Sequence, residues 1–143
     1  MRVCGVEIKS NEAIICLMSK QDGLFDIPDC RQVRFQLVKD QNAESMRHFQ
    51  FTFKKFLEDY KVEKVVIKER AQKGKFAGAA TGFKIEAAIQ LIEDLEVVIM
   101  RATEQKERIK RNPIPVNFED TGLKKFQETA FLIAYASFFT HFE

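Results

Sequence analysis

Two carboxylates interrupt strand-like apolar stretches of the 143-residue sequence. Glu7 lies within Val3–Ile8, and Glu69 follows Val62–Ile67. If these two strands are neighbours, their backbones lie about 4.8 Å apart, and acids at the same level repel each other. Such a pair must share a proton, recruit a lysine or bind a cation. A divalent metal would resolve the repulsion and would provide the means to cleave phosphodiesters.

Each acid also has an ordinary structural interpretation. Glu7 or Glu69 could point outward, or could pair with a neighbouring base, namely Lys9, Lys68 or Arg70. For either acid alone the ordinary interpretation is favoured. Two acids at corresponding places in adjacent strands make a shared functional site about as probable as that interpretation.

The apolar pattern predicts a mixed sheet that would position the two acids. Val3–Ile8 and Ala13–Met18 are typical of a hairpin, and the alternation over Val33–Val38 predicts a third antiparallel strand. Apolar residues at three- and four-residue steps predict a helix over Met46–Tyr60. That helix allows Val62–Ile67 to return parallel to the first strand by a right-handed crossover.

The rest of the chain predicts one more strand and three more helices. A helix with an apolar stripe from Ile85 to Ile92 precedes a fifth strand, Leu95–Met100. A polar helix over Thr103–Arg111 and a last helix over Glu119–Phe142 follow. We therefore expect a single α/β domain over residues 1–143, with strand order 3-2-1-4-5 and helices on both faces.

Composition excludes several classes of protein. The chain is 45% hydrophobic and 31% charged, which is typical of a globular rather than a disordered protein. Its formal charge of +2 does not by itself indicate binding to nucleic acid or membrane. Three cysteines without a CxxC spacing predict a reduced, cytoplasmic protein with Cys4 and Cys16 in the core. No apolar run reaches membrane-spanning length, so no membrane partner is expected.

Three lysines surround a segment rich in small residues, Gly74–Gly82, and the start of the helix after it. A helix N-terminus offers unpaired amides to an anion, so Lys73, Lys75 and Lys84 would suit a nucleic-acid backbone. The alternative is that the glycines allow close helix packing while the lysines are simply solvated.

The predicted last helix is apolar on two sides. A second apolar side has few places to pack in a small domain, and therefore predicts a homodimer through this helix. The alternative is that the helix over Met46–Tyr60 covers it. The second side consists of Phe131, Leu132, Tyr135, Phe139 and Phe142.

Four segments resemble the ribonuclease H-like superfamily, and most closely its bacterial Holliday-junction resolvases. Gly5-Val6-Glu7 is similar to the end of the family's first strand run, which supplies its first metal ligand. Val66-Ile67-Lys68-Glu69 is similar to the fourth-strand segment that closes on a glutamate, and Phe76–Ala88 to the loop and helix after that glutamate. Ala130–Ala134 resembles the apolar stretch after the family's last acids. More narrowly, the sequence resembles an uncharacterised bacterial family of that superfamily.

This resemblance implies a metal-dependent nuclease that acts on structured nucleic acid. Glu7 and Glu69 would be the catalytic metal ligands, Glu128 a third ligand, and the metal Mg²⁺ or Mn²⁺. The lysines around the glycine segment would hold the backbone. The family normally has aspartate as its first ligand, and its last acids align with Phe126 and Thr129 of this chain. These departures favour the alternative, a catalytically degenerate domain that binds nucleic acid or another protein. The two acids on adjacent apolar strands favour the nuclease, which is placed first because such acids are costly without a use.

Overall fold

The computed structural model describes residues 1–70 and 80–139. Long strands are connected by a tight turn at the start of the chain, and helices alternate with strands afterwards. The strands are β1 (Arg2–Lys9), β2 (Glu12–Gln21), β3 (Leu24–Asp26), β4 (Arg34–Gln36), β5 (Lys64–Lys68) and β6 (Glu96–Met100). The helices are α1 (Ala43–Asp59), α2 (Ala80–Gln90), α3 (Ala102–Arg111) and α4 (Glu128–Ala136).

The described strands form one mixed sheet in the order β3-β2-β1-β5-β6, and β4 also pairs with β2. β1 is antiparallel to β2 and parallel to β5, and β5 is parallel to β6. The expected order 3-2-1-4-5 and the α/β class are therefore confirmed. The parallel pairs follow from the helical crossovers α1 and α2, since parallel neighbours cannot be joined by a hairpin.

The prediction of a single third strand over Val33–Val38 is wrong in detail, because two short strands share the outer edge of β2. β3 forms a two-residue hairpin with β2, in which Asp22 and Gly23 both have positive φ, 52° and 79°. Such a turn matches the twist of the flanking strands. β4 pairs with the other end of β2, opposite Ala13. The edge between these two short strands has no strand partner within the described chain.

The last helix is shorter than the predicted Glu119–Phe142. Two 3-10 turns, Phe118–Thr121 and Lys125–Gln127, precede α4. Gly122 separates them with a φ of 80°, which ends helical geometry. α4 itself ends at Ala136, and residues 140–143 lie outside the described part.

Strand alternation divides the core between the two faces of the sheet. On one face Cys4, Val6, Val65 and Ile67 pack against α1 and α2. On the other face the strands pack against α4. The strand residues there are Val3, Cys16, Met18, Val66 and Met100. The buried positions of Cys4 and Cys16 confirm the prediction that both are core residues.

α4 lies against β1 at a glycine. A Cβ built on Gly5 would lie 2.8 Å from both the nitrogen and the Cβ of Ala134. Any side chain at this position would therefore push the helix away from the sheet. Close contact between helix and sheet is the structural reason for glycine in the motif Gly5-Val6-Glu7.

The second apolar side of the last helix is largely covered by the chain itself. Phe131 contacts Phe118 with ring centroids 5.6 Å apart, and Tyr135 contacts Phe25 at 5.2 Å. The Tyr135 hydroxyl donates to the carbonyl of Asn112 at 2.8 Å. The covering elements are β3 and the segment before α4, not the helix α1 that sequence analysis considered. Within the described ranges, no helix has the length and apolarity needed to cross a bilayer.

Candidate functional site at the ends of β1 and β5

Glu7 lies on the face of the sheet that α4 covers. Gly5, two residues earlier in β1, contacts α4, and residues two apart in a strand share a face. In the parallel pairing of β1 with β5, Val6 lies beside Ile67, so Glu7 and Lys68 come next along the two strands. The half-buried acid therefore has a lysine as its neighbour in β5, not a second acid.

Further charged residues lie on the same face around Glu7. Glu7 lies opposite Ile14 of β2, and Ile14 in turn lies opposite Arg34 of β4. Lys9 lies opposite Glu12. The Nε atom of Arg34 lies 3.7 Å from Oε1 of Glu12. We name this group the carboxyl-end rim, because it lies where β1 and β5 end. Its members are Glu7, Lys9, Glu12, Arg34 and Lys68, with a net charge of +1.

An aromatic ring adjoins this rim where the resemblance would place a carboxylate. The guanidinium carbon of Arg34 lies 3.9 Å from the centroid of the Phe126 ring, a close cation–π contact. Phe126 comes just before α4 and is one of the two positions that align with the family's last acids. A phenyl ring cannot bind a metal ion, and here it packs against a base.

Glu69 lies on the opposite side of the sheet from Glu7. Its backbone N–H donates to the Met100 carbonyl at 2.8 Å, which continues the pairing of β5 with β6. Its side chain lines a cavity of about 310 Å³ together with Phe83 and Glu86 of α2. α2 covers the face opposite α4, so the two predicted metal ligands face different helices.

The surroundings of Glu86 in this cavity raise its pKa. Burial raises the pKa of Glu86, the positive charge of Arg70 opposes this rise, and the negative charge of Glu69 adds to it. Burial disfavours the charged form of a carboxyl group. The cavity therefore holds a carboxyl group that is more easily protonated than an ordinary glutamate.

Arg70 connects the ends of the two central strands to α2. Its Nη1 donates to the carbonyl of Ile8 at the end of β1. Its guanidinium carbon lies 5.4 Å from the ring centroid of Phe83, and Gly82 leaves room for the guanidinium group. Arg70 thus fixes the strand ends that carry Glu7 and Glu69.

The predicted ligands do not fit a carboxylate metal centre as a set. Among residues 1–70 and 80–139, no three His, Cys, Asp or Glu side chains form a cluster that could hold a metal ion. Glu128, the predicted third ligand, is exposed at the start of α4. Glu7 and Glu69 as a two-ligand pair therefore remain a prediction without a third partner.

Of the three lysines predicted to hold a nucleic-acid backbone, the structure describes one. The Nζ of Lys84 donates to the backbone carbonyl of Asp40 at 2.9 Å and lies 3.7 Å from its carboxylate. This pairing holds the N-terminal half of α2 to the loop before α1. Lys73 and Lys75 lie outside the described residues.

Sequence reasoning missed the contacts that shape this site. The sequence indicates Arg70 only as a possible ion-pair partner, whereas in the structure its guanidinium group packs against Gly82. The contact between Arg34 and Phe126 joins residues 92 positions apart, so no local pattern indicates it. The sequence offers one signal for this contact, namely that Phe126 stands at a position where the resemblance expects an acid.

Comparison with known proteins gives a family and a fold. A family described as "Protein of unknown function (DUF3010)" matches residues 1–137. Among curated proteins, no sequence matches the chain.

Several solved structures are similar over nearly the whole chain. RuvC from Thermus thermophilus has a TM-score of 0.69 at 14% identity, over 95% of this chain and 92% of that one. The Fowlpox virus resolvase, solved with Holliday junction DNA, has a TM-score of 0.56 at 11% identity, over 96% of each chain. The yeast mitochondrial Holliday junction resolvase Ydc2 has a TM-score of 0.52 at 14% identity, over 94% and 77%. The fold is therefore ribonuclease H-like, of the RuvC type, as expected.

Proposed function

We propose that this chain, which belongs to the DUF3010 family of proteins of unknown function, binds structured DNA at the carboxyl-end rim without cleaving it. The observation that carries the proposal is the ring of Phe126 against Arg34. It occupies a position where a nuclease of this fold would need a further acid. In β5, the residue beside Glu7 is Lys68 and not a second acid.

The charge of the rim supports contact with phosphates. Its three bases outnumber its two acids, and Arg34 has half of its side chain exposed, 51%. Lys124 and Lys125, both exposed, immediately precede Phe126 and extend the basic surface toward α4. Lysine and arginine side chains on one surface supply the sequence-independent part of DNA affinity.

The class of DNA follows from the neighbours of the fold. The Fowlpox resolvase structure contains a Holliday junction, and the yeast protein is named as a junction resolvase. We therefore assign branched DNA to this chain as part of the proposal. Shape and backbone would be recognised, since no element of the rim offers a base-reading helix.

Binding of a four-way junction, followed by fluorescence anisotropy in buffer with EDTA, tests the proposal. We expect the junction to bind more tightly than a linear duplex of the same length. The double variant Lys9→Ala/Arg34→Ala should bind at least tenfold more weakly. The slope of the logarithm of its binding constant against the logarithm of salt concentration should fall in magnitude by about 0.9 for each phosphate that the variant no longer neutralises. Lys54→Ala, an exposed lysine of α1 on the other side of the sheet, is the matched control. Equal affinity of the double variant and the wild type would refute the proposal.

A metal-dependent nuclease is the second candidate, favoured because Glu7 and Glu69 lie at the ends of hydrogen-bonded neighbouring strands. It would use these acids, with Glu128 as third ligand, to hold Mg²⁺ or Mn²⁺. The lysines Lys73, Lys75 and Lys84 would hold the nucleic acid. Because the described acids do not fit a metal centre as a set, no catalytic step is assigned to them.

The same protein preparation separates the two candidates. Incubation with branched and hybrid substrates plus Mn²⁺ should give no cleavage and no metal-induced change in Tm. Cleavage that disappears in both Glu7→Gln and Glu69→Gln would establish the nuclease and overturn the binding proposal.

A homodimer through the last helix and a cytoplasmic location also remain predictions. The burial of Phe131 and Tyr135 within the chain removes the main structural reason for the dimer. Sedimentation of the full chain at micromolar concentration decides the oligomeric state.

A further inference from the structure

We infer that two copies of this chain form a two-fold dimer in which the outer edges of their β6 strands pair antiparallel and join the two sheets. β6 is the last strand of the sheet, and among the strands that the structure describes it pairs only with β5. The backbone groups along such an edge are a template for pairing with another chain. This inference does not depend on the proposed binding of DNA.

The pairing with β5 defines which residues of β6 face the outer edge. The carbonyl of Met100 accepts from the N–H of Glu69, which follows β5, so the backbone of Met100 faces β5. Because backbone direction alternates along a strand, Val98 also faces β5. Val97 and Ile99 therefore direct their N–H and C=O groups to the outer edge, where a second strand would bond to them.

The side chains of β6 are covered less well than those of β5. The three central residues of β5 are completely buried, namely Val65, Val66 and Ile67. Their partners in β6 are also β-branched but only partly buried, namely Val97, Val98 and Ile99. A strand from a second copy would extend both faces of the sheet over these side chains, and the burial of apolar surface favours association.

β6 lacks the features that usually prevent an edge strand from pairing. Natural edge strands carry lysine, proline or a β-bulge. The residues after Glu96 in β6 are all apolar, and none of them is proline. The pairing with β5 runs from Glu96 to Met100 without a bulge. The edge is therefore regular over the whole strand.

The end at which the chain enters β6 is acidic. Three acids and one base line a small cavity before the strand, with a net charge of −2, namely Glu58, Glu93, Asp94 and Lys54. Leu57 of α1 lines the same cavity, so this acidic group lies on the face of the sheet that α1 covers. Glu93 and Asp94 are both exposed and available to a partner.

The end at which the chain leaves β6 is basic. Arg101 follows Met100, and 68% of its side chain is exposed. Its backbone is extended, so its side chain lies on the same face as Ile99, which is the face that α1 covers. Its contact with Glu104, at 3.4 Å, is a surface ion pair of the kind that contributes little.

An antiparallel pair with its two-fold axis at Val98 brings the acidic and basic ends together. Val97 of one copy then exchanges both hydrogen bonds with Ile99 of the other. Arg101 lies opposite Leu95 of the other copy, beside the acidic turn, and the symmetry repeats this contact. A parallel pair would place acidic end against acidic end. The charges therefore favour a second copy in antiparallel orientation.

Amide exchange of the ¹⁵N-labelled full chain, followed by NMR at two concentrations, tests the inference. A pair of short strands gives a small interface, so we expect a Kd on the order of 100 µM and compare roughly 20 µM with roughly 1 mM protein. The amides of Val97 and Ile99 should exchange about threefold more slowly at the higher concentration, as this Kd requires. The amides of Val98 and Met100 bond to β5 in both states and should not change.

Two outcomes of this experiment would overturn the inference. Equal exchange of the Val97 and Ile99 amides at both concentrations would mean that the edge stays unpaired. A dimer in sedimentation whose Val97 and Ile99 amides remain unprotected would use another surface, such as the last helix.

A charge exchange tests the orientation. Arg101→Glu and Glu93→Arg should each weaken the dimer at least fivefold in sedimentation of the full chain. The double variant Arg101→Glu/Glu93→Arg should recover most of this loss, because each contact again joins opposite charges. Lys125→Glu changes an exposed position near β2 by the same charge and should leave the dimer unchanged. A double variant as weak as the single variants would show that the strands do not pair antiparallel.

Discussion

The guanidinium group of Arg70 occupies the space that a side chain at Gly82 would need. A Cβ built on Gly82 would lie 2.7 Å from Nε of Arg70. From this position Arg70 donates to the Ile8 carbonyl and lies over the ring of Phe83. The absence of a side chain at one helix position thus allows a contact that joins β1, β5 and α2 beside Glu69.

This relationship predicts opposite effects of Gly82→Ala in two backgrounds. In the wild type the new methyl group displaces the guanidinium group and breaks its hydrogen bond to the Ile8 carbonyl. Because the donor is charged, this loss costs about 1.5–3 kcal/mol. The gain from alanine in a helix, about 1 kcal/mol, offsets part of this loss. In Arg70→Ala the same substitution should stabilise the protein by about 1 kcal/mol.

Urea unfolding of the four proteins of this double-mutant cycle measures the coupling. A coupling energy of about 1.5–3 kcal/mol is expected, since the hydrogen bond is lost only when Arg70 is present. Additive effects of the two substitutions would mean that Arg70 and Gly82 do not interact in solution.

Gly5→Ala is predicted to be more harmful, because backbone atoms rather than a flexible side chain occupy the space. The new Cβ would lie 2.8 Å from the nitrogen of Ala134, so α4 must move away from β1. We expect a loss of about 3 kcal/mol or more in the free energy of unfolding, at the upper end for overpacked sites. Thermal unfolding followed by circular dichroism measures it.

The double variant Gly5→Ala/Ala134→Gly is the control for this interpretation. It removes the Cβ of Ala134 but leaves the Ala134 nitrogen and the Ala130 carbonyl oxygen in the way of the new Cβ, so it should recover only a small part of the stability lost in Gly5→Ala. Full recovery would mean that the backbone of α4 is not what the new Cβ meets.

The fold could be predicted from the sequence because its signals are local. The apolar runs of β1, β2, β5 and β6 and the helical spacing between them gave the strand order directly. The boundaries around α4 were mispredicted because apolar residues continue through Leu123 and Phe126. There, turn geometry at Gly122 and the side chain of Gln127 break the helix.

The candidate site could be predicted only in part. The positions of Glu7 and Glu69 at the ends of neighbouring strands follow from the predicted topology. The face of the sheet on which each acid lies depends on where its strand ends and on how α2 packs. A shift of one residue in the strand register would move the side chain to the opposite face. The division of the outer edge of β2 between two short strands is indicated by no periodicity in the sequence.

Glu86→Gln is predicted to stabilise the protein at neutral pH more than at acidic pH. The pKa of Glu86 is raised mainly by burial, so the folded state binds its proton more tightly than the unfolded state does. The contribution of Glu86 to stability is therefore full below its unfolded pKa of about 4.3 and is lost as pH rises through the folded pKa. Glutamine does not ionise, so the free energy of unfolding of the variant lacks this dependence on pH.

Urea unfolding of wild type and Glu86→Gln at pH 4 and pH 7 gives the comparison. The free energy of unfolding of the variant, relative to the wild type, should be higher at pH 7 than at pH 4. Glu93→Gln, an exposed position shortly after α2, controls for the loss of one carboxylate. A difference that does not change with pH would contradict the burial of Glu86.

The three thiols are predicted to differ in reactivity according to their burial. Burial raises the pKa of Cys16 to about 12 and that of Cys4 well above its ordinary value, so few thiolates form there. The pKa of Cys30 is also raised by burial, but this residue is only half-buried and lines a surface cleft. At pH 8 a disulfide reagent should modify one thiol of the native chain and all three after denaturation. Cys30→Ser should remove the native reaction. Two rapidly modified thiols in the wild type would mean that Cys4 or Cys16 becomes exposed in the native protein.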